Sequence, residues 1–330
     1  MKTNNKKQLS AYLDLYDKKT NALKVSYIRS RHGFGRMYPR KSLGLTSFRG
    51  KLRNSMIKDT YYDFDISNAQ PAIIFNICKA NDIPCKALEN YNINRESILA
   101  DVQNKYAVDR SSAKKLFIRL AFFGTFEGWC KEHKVESPEP LQIISDLRNE
   151  LTAIAQVFKE ANPELYKSVL RSKKEKGACH NILGSFFALY LQHYEYMIMQ
   201  KLMTWLVANT NVCNFGKSKF KVLTYEFDGI KLYKPNVDAN GGVDKLLQDI
   251  NDVITELTGF NITFENKPIK DFYDVEILQE PKGVSFDDVS KEFELEHCKI
   301  INKAIFIKST ELDNIFMSDK QLKVAYSHLA

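Results

Sequence analysis

Apolar positions recur along this chain with two different periods. TYYDFDI, residues 60–66, is rich in aromatic side chains and alternates as a half-buried strand does. NAQPAIIFNICKAN follows, with Pro71 where the first turn of a helix tolerates it. RSSAKKLFIRLAFF at 110–123 reads as a helix, basic toward one face and carrying Leu116, Phe117 and Leu120 on another. Residues 139–168 and 178–208 read as two further helices, the second apolar enough to be largely buried. FKVLTYEFDGIKLYK at 220–234 places two apolar runs around a Phe-Asp-Gly turn, a strand–turn–strand pattern. A helix over 242–258 and a strand over 261–265 follow. Residues 8–28 are expected to form a short helix, and 29–50 a Gly/Arg-rich irregular stretch. The order strand, helices, hairpin, helix, strand predicts an α+β fold with a small antiparallel sheet. From about residue 276 the character shifts to an acidic linker, and 301–330 reads as a short β-pair and a helix.

Composition narrows the class. At 330 residues and 44% hydrophobic, the chain can bury one large core or two modest ones. No apolar run approaches the roughly 18 residues of a membrane span, and the first residues lack the apolar stretch of a secretory signal. No membrane partner is expected. Six cysteines without CxxC spacing suggest neither a zinc site nor a disulfide framework. They fit a reducing, intracellular compartment, where they serve as small buried hydrophobes. The net charge of +8 is unevenly distributed, since residues 1–60 carry 15 Lys and Arg against 3 Asp and Glu. Such a segment, with Tyr27, Phe34, Tyr38 and Phe48 set among its charges, suits a polyanion partner better than it suits a solvated tail.

Two aspartates stand where a metal-dependent reaction needs them. Asp65 lies at the end of the 60–66 strand and Asp228 at the tip of the 220–234 hairpin. Carboxylates at the ends of adjacent antiparallel strands can share a pair of divalent cations. Asp63 falls on the same strand face as Asp65. In the 110–123 helix, Arg110 and Lys114 share a face, and Phe123-Gly124 follows. Those cations can bind a triphosphate while the ring stacks on a base, or they can be the solvated side of an amphipathic helix.

Taken in order, these segments resemble the polymerase domain of the family A DNA polymerases, from about residue 33 to 275. GFGRMYPRKSLGLTSFRGKLRNSM resembles the family's Gly-Arg segment and YYDFDISNAQPAII its motif A. DRSSAKKLFIRLAFFG resembles motif B, the fingers helix, and HNILGSFFALYLQ the palm helix that carries an Asn. TYEFDGIKL resembles motif C, and ITFENKPIKDFYDV the closing strand. DISNAQP together with EFDGI is closest to a divergent transposon and virus branch, whose members are often fused to a C-terminal helicase.

The resemblance implies a palm with a small antiparallel sheet, helical fingers, and a thumb reduced or absent. It divides the chain into a basic nucleic-acid-contacting segment at 1–60, a palm and fingers domain at 61–275, and a linker and appendage at 276–330 leading toward another module. It implies DNA synthesis on a template-primer from dNTPs, with NTPs as further substrates if the chain also primes, and a replicative helicase as partner. Two Mg²⁺ or Mn²⁺ ions would be held by Asp65 and Asp228, with the Ile66 carbonyl as an extra ligand. Arg110 and a lysine would hold the triphosphate: Lys114 fits the distance from Arg110, Lys115 the distance to Phe123-Gly124. Gln70 would face the sugar. Arg31, Arg36, Lys51, Arg53 and Asn181 would lie against nucleic acid. Only about 30 residues precede the Gly-Arg segment, so low processivity and no proofreading exonuclease are expected.

Three positions depart from the family pattern. Phe227-Asp228-Gly229 stands where His-Asp-Glu is usual, Gln70 where a Glu is usual, and Ser185 where a Gln is usual. The first departure keeps a non-catalytic replication scaffold as an alternative. A two-metal nuclease is a further one, although it gives the basic helix no role.

Overall fold

The computed structural model describes residues 10–17, 22–29, 33–136, 139–178, 180–214, 220–270 and 305–308. They divide into two compact units. The first takes residues 1–30, 36–67 and 196–330, the second residues 31–35 and 68–195.

In chain order the first unit opens with strands β1 (Tyr16–Asp17), β2 (Ala22–Lys24), β3 (Tyr27–Arg29) and β4 (Met37–Pro39). Helix α1 (Gly50–Ile57) and strand β5 (Tyr61–Ile66) complete its N-terminal part. Helices α2 (Ala69–Ala80), α3 (Lys86–Ile93), α4 (Arg95–Tyr106), α5 (Arg110–Ala121) and α6 (Phe126–His133) follow in the second unit. So do α7 (Gln142–Ala161) and α8 (Pro163–Glu175). Helix α9 (Ile182–Asn209) gives residues 182–195 to the second unit and 196–209 to the first. The first unit then resumes with β6 (Phe220–Glu226), β7 (Gly229–Tyr233), α10 (Lys234–Ala239), α11 (Gly242–Thr258), β8 (Phe264–Lys267) and β9 (Ile305–Lys308).

The fold is α+β, mostly helical, and its strands are mainly antiparallel. Among the described residues the main sheet runs β1-β2-β9-β6-β7-β5-β8, and β3 pairs with β4 in a separate ribbon. Its one departure from the expected antiparallel pattern is the parallel pair β2–β9. Strand alternation gives the central strands two unlike faces. Phe64, Ile66, Leu223, Ile230, Leu232 and Phe264 are buried on one. Asp63, Asp65, Glu226, Lys231 and Lys267 belong to the other, because the register sets Asp63 opposite Lys231 and Lys267, and Asp65 opposite Gly229.

The expected helix over 8–28 is replaced after residue 15 by β1, β2 and β3. Leu23 and Val25 are buried while Lys24 and Ser26 are exposed, a period of two that suits a strand and not a helix. Leu23 and Val25 join Tyr12, Phe48, Tyr61 and Val222 in one apolar cluster. The expected helix over 139–168 is two helices. Asn162 caps the end of α7 through Nδ2 on the Phe158 carbonyl, and Pro163 starts α8, where a missing N–H is harmless. Strand 261–265 shifts to Phe264–Lys267, since Asn251 occupies both the N–H and the carbonyl of Phe264 at its start. Helices α1, α3, α4, α6 and α10 were not anticipated. Of the appendage at 276–330, only β9 lies within the described residues, pairing with β2 and β6 and not within a local β-pair.

In the second unit, α5 packs against α4, α6 and α7. Leu116, Leu120 and Trp129 are fully buried there, and the Trp129 indole N–H donates to the Ser112 carbonyl at 2.9 Å.

Candidate active site: the charged sheet face and the basic helix

In the first unit, β5 and the β6–β7 hairpin bring the two predicted aspartates to one end of the sheet. Asp65 is paired in register with Gly229, and the Ile66 N–H donates to the Asp228 carbonyl at 3.0 Å. The turn itself needs an unusual backbone, with Phe227 at φ 60°. Gly229 is required by space. A Cβ there would lie 2.5 Å from the Asp65 Oδ1 and 2.7 Å from the Phe64 carbonyl oxygen. The position where the family pattern has an acid is therefore one that the Asp65 carboxylate itself overlies.

Around Asp65 the polar face alternates in charge. Lys267 of β8 is ion-paired to the Asp65 Oδ2, and its ammonium lies 3.9 Å from Glu265. Lys231, only 3% exposed, sits between Asp63 at 2.7 Å and Glu226 at 3.1 Å. Arg53 of α1 reaches Glu226 at 3.6 Å. Burial pushes the Glu226 carboxyl above the usual carboxylate range, against the opposing pull of Lys231 and Arg53. Burial likewise draws the Lys267 ammonium below its ordinary value, with Asp63 opposing.

Two residues of the basic N-terminal segment reach this hairpin. The Arg36 guanidinium lies 4.6 Å from the centre of the Phe227 ring, which Tyr38 meets edge-on at 5.8 Å. Arg53 is engaged with Glu226 as above. Lys51 is exposed on α1. Arg31 lies outside the described residues.

In the second unit, α5 carries the predicted phosphate-binding cations. Asp109 caps its N-terminus, accepting from the Ser112 N–H at 2.6 Å, and that bond holds the Asp109 carboxyl below its usual value. Arg110 makes a two-pronged ion pair with Glu96 of α4, at 2.9 Å from Nε and 2.6 Å from Nη2. The Glu96 carboxyl is lowered chiefly by that bond, and Lys114 also contributes to the lowering. The two candidate lysines thus separate. Lys114 belongs with Arg110, whereas Lys115 lines a cavity of ≈ 380 Å³ bounded also by Arg119, Phe122, Gly124, Trp129 and Asn181.

Phe123 is left-handed at φ 61°, and its ring packs on Phe187 at 5.6 Å. Asn181 precedes α9 and is held by protein. Its Nδ2 donates to the Phe122 carbonyl at 2.8 Å and its Oδ1 accepts from the Gly184 N–H at 3.0 Å. Gln70 donates to the buried Glu195 carboxylate at 3.1 Å.

Lys267, Lys231 and Glu226 are site residues that sequence reasoning missed. The available signal was strand alternation: ENK in the closing strand places Glu265 and Lys267 on one face, two residues apart. Asp65, Asp228 and the Ile66 carbonyl are oxygen donors of the kind a hard divalent ion takes, and the backbone bond between Ile66 and Asp228 keeps these residues at one end of the sheet. The Cβ-free space over Gly229 is what lets Asp65 lean there. Among the described residues, no group of three or more His, Cys, Asp or Glu converges as a metal site, and no helix is long and apolar enough to cross a membrane.

No protein-family model matches the chain. It is 26% identical over 278 residues to the protein named "Putative helicase V13" of Sputnik virophage. The aligned part is 83% of this chain and 34% of that protein, so the chain spans about a third of the relative's length.

Proposed function

We propose that this chain is a template-directed DNA polymerase module, with priming as a further activity, serving replication of a virus or mobile element. The observation that carries the reading is the pair Asp65 and Asp228 at neighbouring strand ends, joined through the Ile66–Asp228 backbone bond. In this reading the β6–β7–β5–β8 sheet is the palm and α5 belongs to the fingers. The virophage relative supports the replication setting. Its name supports a helicase as neighbour or partner.

The chain as the helicase motor itself is a weaker reading. The phosphate-binding signature Gly-x₄-Gly-Lys-Ser/Thr is absent from the sequence; Gly216-Lys217-Ser218 has Asn211 where the first glycine would stand. Such motors also set that loop between a strand and a helix of a parallel βαβ unit, whereas β5, β6, β7 and β8 are antiparallel.

Asp65 and Asp228, with the Ile66 carbonyl, would hold Mg²⁺ or Mn²⁺. When bound, such ions activate a 3′-hydroxyl and neutralise a leaving pyrophosphate. The chain's own residues supply the rest. Gly229 keeps the Asp65 carboxylate in place; Arg110 with Lys114 or Lys115 binds the triphosphate of the incoming dNTP; Phe123 offers a ring without a phenol oxygen. Lacking that donor, the ring gives ribose no hydrogen bond, which favours DNA as product. Arg36, Lys51 and Arg53 bind backbone phosphates of the template-primer.

The test is a primed template with labelled dNTPs and Mg²⁺, comparing wild type with Asp65→Ala. Extension by wild type alone supports the polymerase. Loss of labelled primer would indicate the nuclease, and binding without turnover the scaffold. Adding NTPs to an unprimed template asks whether the chain primes.

A further inference from the structure

We propose that Lys267 is a built-in counter-cation at Asp65, which a divalent ion must displace toward Glu265. This rests on the metal-binding reading of Asp65 given above. Lys267 comes from β8, where the register places it opposite Asp63, one pleat from Asp65. Its ammonium nevertheless reaches diagonally to the Asp65 Oδ2. That oxygen is a metal-ligating atom in the proposed site, and one carboxylate oxygen cannot give full contact to an ammonium and a divalent ion at once.

A second position for the lysine is already present. Glu265 lies two residues back on the same strand face, 3.9 Å from the Lys267 ammonium and half exposed at 50%. Asp63 cannot serve equally well, because Lys231 is already 2.7 Å from its Oδ1. Lys267 therefore has two carboxylates within reach of one flexible side chain. At Asp65 it compensates a carboxylate that is only 14% exposed. At Glu265 it leaves Asp65 to the ion. Asp65 then has a cation beside it in either state, and metal affinity depends on a residue that is not a ligand.

The experiment titrates Mn²⁺ into the full chain and reads the free ion by electron paramagnetic resonance, with no substrate present. Lys267→Gln removes the competitor and should bind Mn²⁺ about five-fold tighter, the scale of one partly exposed ion pair. Lys267→Arg keeps the charge and should bind as wild type does. Glu265→Gln removes the second position, so it should bind two-fold or more weakly. Lys245→Gln, on the exposed face of α11, changes net charge by the same amount and should leave affinity unchanged. Equal or weaker binding by Lys267→Gln overturns the proposal while leaving the metal site standing. Wild-type affinity in Asp65→Asn overturns both, because the ion is then held elsewhere.

Discussion

At the scale of residues, the sheet face is governed by what each neighbour leaves room for. Gly229→Ala would place a methyl 2.5 Å from the Asp65 Oδ1, so the carboxylate must move. Displacements of about 1 Å in a catalytic constellation cost on the order of a hundred-fold in rate. Gly229→Ala should lose nucleotide incorporation on that scale, as steady-state primer extension would show; full activity would mean that the position of Asp65 does not matter. Lys231 makes a different prediction. Replacing it with Met leaves the buried Glu226 and the half-buried Asp63 without their shared cation. The expected loss is about 3–5 kcal/mol, read from urea unfolding midpoints. Asp65 and Asp228 were legible in the sequence because strand and hairpin signals are local. Lys267 was not, since it reaches Asp65 across 202 residues of chain, and nothing in a local pattern specifies which strands pair. The resemblance and the charge of their segment place Arg36 and Arg53 against nucleic acid. Their engagement with Glu226 and the Phe227 ring depends on tertiary packing.

At the scale of elements, α5 is set by its first turn. Asp109 caps it and Glu96 anchors Arg110 from α4. Both carboxyls are held below their ordinary values by these partners. A carboxyl lowered in the folded state contributes stability above its unfolded value, and that contribution is lost as pH falls through the folded one. Amide exchange in α5, corrected for intrinsic rate, should therefore accelerate below the ordinary carboxylate range. Glu96→Gln should remove part of that pH dependence; an unaltered profile would assign the α4–α5 link to packing alone. Glu96→Gln also releases Arg110, so in the polymerase reading it should lower the KM for dNTP. The 3.6-residue period made α5, α7, α9 and α11 readable. The break at Asn162-Pro163 was obscured because both flanking stretches keep helical period. The first strands were missed because β1, β2 and β3 are two or three residues long, too short for alternation to dominate a window.

At the scale of the whole molecule, the charge is segregated along the chain, and the polymerase reading gives each unit a separate task. The first holds the carboxylates and the basic segment, the second the cations of α5. In the polymerase reading the 15 Lys and Arg of residues 1–60 supply phosphate contacts, so affinity for primed DNA should fall by about ten-fold or more between about 50 and 200 mM salt. Fluorescence anisotropy of the full chain checks this, and a flat salt response would remove the basic segment from the interface.

The central claim is that Asp228 and Asp65 support template-directed synthesis, and one measurement tests it most directly. A labelled primer on a template with a single defined next base is incubated with Mg²⁺ and each dNTP in turn, for wild type and Asp228→Ala. The account predicts that wild type adds the complementary nucleotide, and that Asp228→Ala lowers the rate at least about a hundred-fold with primer-template affinity retained. Addition without regard to the template, no addition by wild type, or equal rates in the two proteins would contradict it.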